Sequence, residues 1–233
     1  ENLYFQLLNM DLSSSGNATP LSDPSTSKQG FDMIYGYDGY IYYTYSEDYD
    51  ISVKKISNTG SISWTTPAVE SSTDNIVKAI YPLPVSGCVV IYESAGFIEG
   101  SHIYAVAVSG SGSIQSGWPV ILSDLSEDQY YESSTLTDNG IFVSFKDNTS
   151  GNYDVHGQHI LFSGNLDFGS SGVEIASGPG GQQSSSVAYY PIGDEAFVCY
   201  ESTNGSETDI HCNEVTLSSQ IVLCVLASTS GIF

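Results

Sequence analysis

The stretch FVSFKDNTSGNYDVHGQ, residues 142–158, decides the fold of this 233-residue chain. It contains two short runs of β-branched and aromatic residues, separated by a polar turn rich in Asn, Ser and Gly. This pattern predicts two antiparallel strands joined by a turn. The first strand closes on an aromatic residue, Phe145, and the second begins with Asp154.

The same order of signals recurs along the chain. An aromatic residue closes a strand, a polar or acidic turn follows, and the next strand begins at residue 50, 102, 154 or 209, three times with Asp. A glycine turn and a bulky residue come next. Because equivalent positions of a repeat pack alike, we expect a common buried role for the closing aromatics and the bulky residues. These are Tyr45, Tyr92, Phe145 and Tyr200, with Trp64 and Trp118.

A period of about 50 residues with four strand-like runs per unit is typical of a β-propeller blade. The sequence therefore predicts an all-β propeller with four nearly complete four-stranded blades, at 31–73, 74–127, 128–180 and 181–233. Residues 7–30 supply an N-terminal half blade, whose strand at 7–12 we expect to pair within the chain or with another copy. A β-sandwich is the alternative fold.

The third unit resembles the degenerate propeller repeat of many secreted and surface proteins, in which a Trp-x-Asp-x-Arg turn precedes Asp-Ile-Tyr-x-Gln. In this chain Phe replaces the Trp, the Arg is absent, and only the third unit keeps the Gln. The resemblance implies a propeller and an extracellular or cell-surface location. It implies no particular activity.

Composition excludes several classes of function. The chain has 5 basic residues, all of them Lys, against 27 acidic ones, for a formal net charge of −22. Nucleic-acid binding requires clustered basic residues, and arginine-based capture of a substrate carboxylate requires Arg. No apolar run is long enough for membrane insertion. Residues 1–6, ENLYFQ, match a protease recognition sequence used to remove purification tags, so we interpret them as an expression scar.

The chain has four cysteines and three sequons. Cys199 and Cys212 are equally distant from the centre of a predicted turn, which places them opposite each other as a disulfide or as two small core residues. Cys88 and Cys224 have no assigned partner. Three sequons make the protein a candidate glycoprotein, at Asn17, Asn148 and Asn204.

The carboxylates at the first polar turn are the candidate metal ligands. Glu47, Asp48 and Asp50 offer oxygen donors of the kind that calcium binds, and a solvated acidic turn is the alternative. We assign no catalytic residue, because no local nucleophile motif is present. His156 and His211 occupy the repeat position of Tyr104, which favours packing over catalysis.

The sequence leaves three functions open. A non-enzymatic module for glycan or protein binding, or adhesion, is favoured by the high tyrosine content and by the lack of a catalytic signature. A carbohydrate-active propeller enzyme is the first alternative, by analogy of fold. A structural subunit that self-associates by strand addition, through the N-terminal half blade, is the second.

Overall fold

A computed structural model describes residues 4–6, 18–21, 28–96, 100–217 and 221–225 of the chain. Within these residues all regular secondary structure is β. Strands β1 (Tyr4–Phe5) and β2 (Thr19–Pro20) pair with each other, and the remaining strands form four four-stranded antiparallel sheets. Among the described residues, no helix is long and apolar enough to cross a membrane.

Each sheet contains four consecutive strands in chain order. The first has β3 (Lys28–Tyr35), β4 (Ile41–Glu47), β5 (Asp50–Ile56) and β6 (Ile62–Val69). The second has β7 (Asp74–Pro82), β8 (Gly87–Gly96), β9 (Gly100–Ser109) and β10 (Val120–Ile121). The third has β11 (Gln129–Leu136), β12 (Gly140–Asp147), β13 (Asp154–Leu161) and β14 (Val173–Ala176). The fourth has β15 (Gln182–Tyr190), β16 (Glu195–Asn204), β17 (Glu207–Thr216) and β18 (Ile221–Val225).

The all-β class and the four four-stranded units are confirmed. The predicted strand at 7–12 lies outside the described residues, so the half blade stays a prediction. The first sheet begins at Lys28, three residues before the predicted start of its unit.

The repeat is visible in the strand register. The closing aromatics of three sheets have equivalent partners on the third strand: Tyr45 lies opposite Ser52, Phe145 opposite His156, and Tyr200 opposite His211. The rings of Phe145 and His156 stack with centroids 5.8 Å apart, and those of Tyr200 and His211 with centroids 5.9 Å apart. All four closing aromatics are buried, as is Trp118, whereas Trp64 is half-buried.

A β-bulge interrupts the first strand of three sheets, each time beside the closing aromatic of the second strand. It lies between Gln29 and Phe31 in β3, between Tyr131 and Ser133 in β11, and between Gln183 and Ser186 in β15. A bulge removes residues from the ladder and leaves their backbone groups unpaired. In each sheet these groups therefore need partners outside the ladder.

Backbone contacts divide the chain into two compact units, residues 1–94 with 105–119 and residues 95–104 with 120–233. In the first unit, β3 packs against β7. The Asp32 carboxylate accepts a hydrogen bond from the Ile80 amide at 3.0 Å, and the Ser46 hydroxyl accepts one from the Val77 amide at 2.8 Å.

The second unit repeats this arrangement, with β11 packed against β15. The two oxygens of the Glu132 carboxylate each accept a hydrogen bond at 2.7 Å, from the amides of Ser184 and Ser185. The bulge in β15 frees these amides, and the bulge in β11 presents the carboxylate to them. An apolar cluster containing Phe142, Val155 and Val198 fills the space between the third and fourth sheets.

Candidate functional site

A cavity of the first unit lies at the turn between β4 and β5. Its volume is about 240 Å³, and we call it the Tyr49 pocket. The β4–β5 hairpin and the starts of β3 and β7 supply its lining. The lining residues are Gln29, Ser46, Glu47, Asp48, Tyr49, Asp74 and Asn75.

The turn that forms one wall has an unusual backbone. Glu47 and Asp50 are paired at the end of the ladder, so the turn itself has two residues, Asp48 and Tyr49. Both have positive φ angles, of 46° and 82°. A two-residue hairpin turn of this kind favours Asn or Gly, whereas a bulky aromatic residue is strained there. The backbone of Tyr49 therefore stores strain.

A buried asparagine from the second sheet holds the turn in place. The Asn75 side-chain amide donates to the Tyr49 carbonyl, and also to the Ser71 hydroxyl at 3.0 Å and the Thr73 carbonyl at 3.1 Å. The contact fixes the main chain of Tyr49 and leaves its side chain 52% exposed. The result is an exposed tyrosine with a fixed main chain in the lining of a polar pocket.

The carboxylates of the turn do not form a preformed calcium cage. The Glu47 carboxylate pairs with the Lys28 ammonium at 2.8 Å, and the Asp50 carboxylate accepts a hydrogen bond from the Ser71 amide at 3.0 Å. Asp48 is exposed. Throughout the described ranges, no three or more His, Cys, Asp or Glu side chains are grouped to hold a metal.

Behind the turn, Tyr45 is buried and Lys54 is half-buried, and burial shifts the pKa of each side chain. Burial raises the pKa of the Tyr45 phenol above its ordinary value, with Ser52 opposing the shift by a hydrogen bond. Burial also lowers the pKa of Lys54, which the negative charge of Glu47 partly offsets. The Lys54 ammonium lies 5.5 Å from the centroid of the Tyr45 ring. The back of the hairpin is therefore a packed wall.

The predicted cysteine pair is joined by a disulfide. Cys199 and Cys212 are direct partners in the β16–β17 ladder, with their Cα atoms 4.0 Å apart. Cys88 is a buried thiol whose pKa is raised by burial. Cys224 lies in β18, opposite Asn213.

Two of the three sequons lie in described turns. Asn148 and Asn204 are exposed, at the β12–β13 and β16–β17 hairpins respectively. Asn17 lies outside the described residues. Glycosylation itself stays a prediction.

A chain of hydroxyl, imidazole and carboxylate occurs in the third sheet, where the sequence shows no local signature for it. His159 Nδ1 lies 2.7 Å from Asp167 Oδ2, and His159 Nε2 lies 2.9 Å from the Thr137 hydroxyl. Burial lowers the pKa of His159, while the hydrogen bond to Asp167 opposes the shift. Both Thr137 and His159 are buried, so a substrate has no access to this hydroxyl. We interpret this hydrogen-bonded series of Thr137, His159 and Asp167 as structural.

The sequence identifies part of the pocket only. It singles out Glu47, Asp48 and Asp50 as acidic groups, but not Tyr49, Asp74 or Asn75. The available signal was Tyr49 itself, an aromatic residue in the middle of a predicted hairpin turn. The contribution of Asn75 depends on how two sheets pack and has no local sequence signal.

No protein-family model matches the chain, and no curated protein sequence matches it. Several solved structures resemble it, including the following three. An α-L-arabinofuranosidase from Lactobacillus brevis is 9% identical with a TM-score of 0.49, and the alignment covers 84% of this chain and 70% of that one. An endo-arabinase from Bacteroides thetaiotaomicron is 12% identical with a TM-score of 0.45, covering 87% and 76%. A glycosyl hydrolase from Bacteroides ovatus is 9% identical with a TM-score of 0.42, covering 85% and 69%. Similarities this distant carry no conclusion about a site or an activity.

Proposed function

We propose that this chain is a carbohydrate-binding module whose ligand occupies the Tyr49 pocket. The observation that carries the proposal is the strained backbone of Tyr49, which is held by Asn75 while the residue is 52% exposed in the lining of the pocket. Strain of this kind costs about 1–3 kcal/mol and persists where the surrounding structure enforces it, which is often at binding sites. Hairpin formation alone needs no aromatic residue at this position.

The pocket has the chemistry that a sugar requires. A tyrosine ring provides a rigid apolar face for the C–H face of a pyranose or furanose, at low cost in conformational entropy. The carboxylates of Asp48 and Asp74 and the amide of Gln29 surround the pocket as acceptors and donors for hydroxyl groups. A volume of about 240 Å³ suits a single sugar unit.

The charge of the pocket selects among sugars. Three carboxylates line it, of Glu47, Asp48 and Asp74, and the Lys28 ammonium compensates one of them. The chain as a whole has a net charge of −22. Uronic acids, sialic acid and sulfated sugars are therefore repelled, and neutral sugars are preferred.

An exposed apolar row lies on the other face of β3. The bulge between Gln29 and Phe31 reverses the alternation of side chains along the strand, because Gln29 lies opposite Ser46 whereas Phe31 lies opposite Tyr45. Phe31, Met33 and Tyr35 are exposed on that face and do not line the pocket.

We infer that the four sheets are propeller blades. Within the first unit the opening strand β3 packs on the opening strand β7, and within the second unit β11 packs on β15 in the same way. Packing of equivalent opening strands is what the stacking of blades requires.

An extracellular or cell-surface location belongs to the proposal, and the disulfide between Cys199 and Cys212 supports it.

Hydrolysis of the bound sugar is the second candidate function. The presence of three carboxylates in one pocket favours it, because glycosidases place two carboxyl groups on either side of the bond that they cleave. Release of reducing ends from a bound oligosaccharide would distinguish an enzyme from a binding module. Loss of that activity in an Asp74→Asn variant that still binds would assign the reaction to this pocket.

The binding proposal is tested by calorimetric titration with neutral oligosaccharides, including arabino-oligosaccharides, and with an acidic one, oligogalacturonate. We expect binding of at least one neutral oligosaccharide and none of oligogalacturonate. Tyr49→Ala should weaken binding at least tenfold. Tyr190→Ala, at a tyrosine that is 43% exposed in the fourth sheet, is the matched control and should bind as the wild type does. Equal losses in both variants, or a preference for the acidic ligand, would overturn the proposal.

A further inference from the structure

Three polar side chains form a row across the third sheet. Gln129 in β11 lies directly opposite Asp147 in β12, and Asp147 lies directly opposite Asp154 in β13. Directly opposed residues of antiparallel strands project from the same face, with Cβ atoms about 5 Å apart. The exposed fractions are 0% for Gln129, 1% for Asp147 and 5% for Asp154. The row is therefore a buried polar cluster.

Oxygen atoms in this row lack hydrogen-bond donors. The Gln129 amide nitrogen donates to the Leu125 carbonyl at 3.0 Å, which fixes the orientation of the amide and leaves Oε1 without a donor. One Asp154 oxygen accepts from the Ser150 hydroxyl, and the other, Oδ1, has no donor. Each buried acceptor without a partner costs about 1–3 kcal/mol, and more for a charged group. Such groups in a folded protein call for an explanation.

The two carboxylates of the row have few polar neighbours. Asp147 Oδ1 accepts a hydrogen bond from the Thr149 amide at 2.8 Å, and Asp147 Oδ2 lies 2.8 Å from His156 Nε2. Nδ1 of the same imidazole is buried without a partner. Among the described residues, no lysine pairs with Asp147 or Asp154.

The neighbouring strand β15 begins beside the row. The Gln182 amide, at the start of β15, donates to the carbonyl of Tyr153 at 2.7 Å, next to Asp154 in the chain. The Gln182 side chain is buried, and its Oε1 has no donor. The turn at 148–151 beside the row is exposed, which provides an entrance from solvent.

We propose that this row binds one calcium ion through the carboxylates of Asp147 and Asp154 and the amide oxygen of Gln129. Calcium prefers carboxylate and amide oxygens, and it accepts irregular geometry with main-chain carbonyls and water completing the shell. Two carboxylates balance its charge. Magnesium requires stricter octahedral geometry and holds its own water, so a dry row suits it less. The site is independent of the carbohydrate proposal, since it uses none of the residues of the Tyr49 pocket.

Thermal unfolding of the full chain after chelator treatment tests the site, with CaCl2 or MgCl2 added back. Calcium should raise the unfolding midpoint of the wild type, with one ion bound per chain by calorimetry. Asp154→Asn should reduce calcium affinity at least tenfold. Asp209→Asn is the matched control, because Asp209 holds the equivalent repeat position in β17 and is exposed there. It should respond as the wild type does.

If Asp154→Asn fails to fold, Gln129→Leu replaces it, with an expected loss of affinity of roughly tenfold. An absent calcium response in the wild type would overturn the site. So would an undiminished response in Asp154→Asn or Gln129→Leu, since calcium would then bind elsewhere. An equal response to magnesium would overturn the assignment to calcium.

Discussion

Tyr49 has a backbone conformation that its own side chain disfavours, and this predicts a trade-off between stability and binding. Tyr49→Gly should raise the free energy of unfolding by about 1 kcal/mol, because glycine adopts a positive φ without strain even though it loses more chain entropy on folding. The same variant should lose carbohydrate binding. Urea unfolding, followed by circular dichroism, measures the first effect and calorimetry the second.

Ile51→Val, two positions along the hairpin and fully buried, provides the comparison for Tyr49→Gly. It should lower stability by about 1 kcal/mol through the lost methylene and leave binding unchanged. If Tyr49→Gly destabilises the protein instead, the ring makes a contact that outweighs the backbone strain, and the functional interpretation of that strain fails.

His159 makes stability depend on pH in a direction fixed by its burial. Its pKa is lowered by burial in the folded state, so the unfolded chain binds a proton more readily than the folded chain. The stabilising contribution is present above about pH 6.5, the unfolded value, and declines as pH falls below it. Urea unfolding at about pH 7.5 and about pH 5.5 should show this loss, and His159→Gln should reduce the slope. An unchanged slope in His159→Gln would assign the pH dependence to other groups.

At the scale of the strand, the bulges of β11 and β15 act as a pair. The Glu132 carboxylate accepts hydrogen bonds from two amides that the β15 bulge frees, of Ser184 and Ser185. In Glu132→Gln an amide N–H faces one of these donors, so we expect the free energy of unfolding to fall by about 2 kcal/mol. Chemical unfolding measures the change. Glu174→Gln, at an exposed glutamate of the same sheet, should change stability by less than about 0.5 kcal/mol. Similar losses in both variants would show that the bulge contact adds little.

At the scale of the whole chain, the sequence predicts features that repeat and misses those that join one repeat to the next. Tyr45, Phe145 and Tyr200 are recognisable because a closing aromatic precedes each turn, and they are buried in equivalent registers. The bulge at Gly30 and the contact of Asn75 with Tyr49 each involve two sheets that pack together. A local pattern of strands contains no information on that packing.

The same reason explains why the sequence predicts the two candidate sites only in part. The acidic turn at 47–50 is visible as composition, whereas the contact that holds the strained conformation of Tyr49 is a hydrogen bond between residues 26 positions apart. The row of Gln129, Asp147 and Asp154 depends on the register of three strands. Register follows from the turn lengths and bulges that the sequence leaves open.

Hydrogen exchange of the backbone amides, with and without a saturating neutral oligosaccharide, tests the Tyr49 pocket most directly. The account predicts slower exchange at residues 46–50 and 74–75, and unchanged exchange at the exposed turn of residues 204–206. Protection confined to other strands, or no change at residues 46–50 when the oligosaccharide is bound, would contradict it.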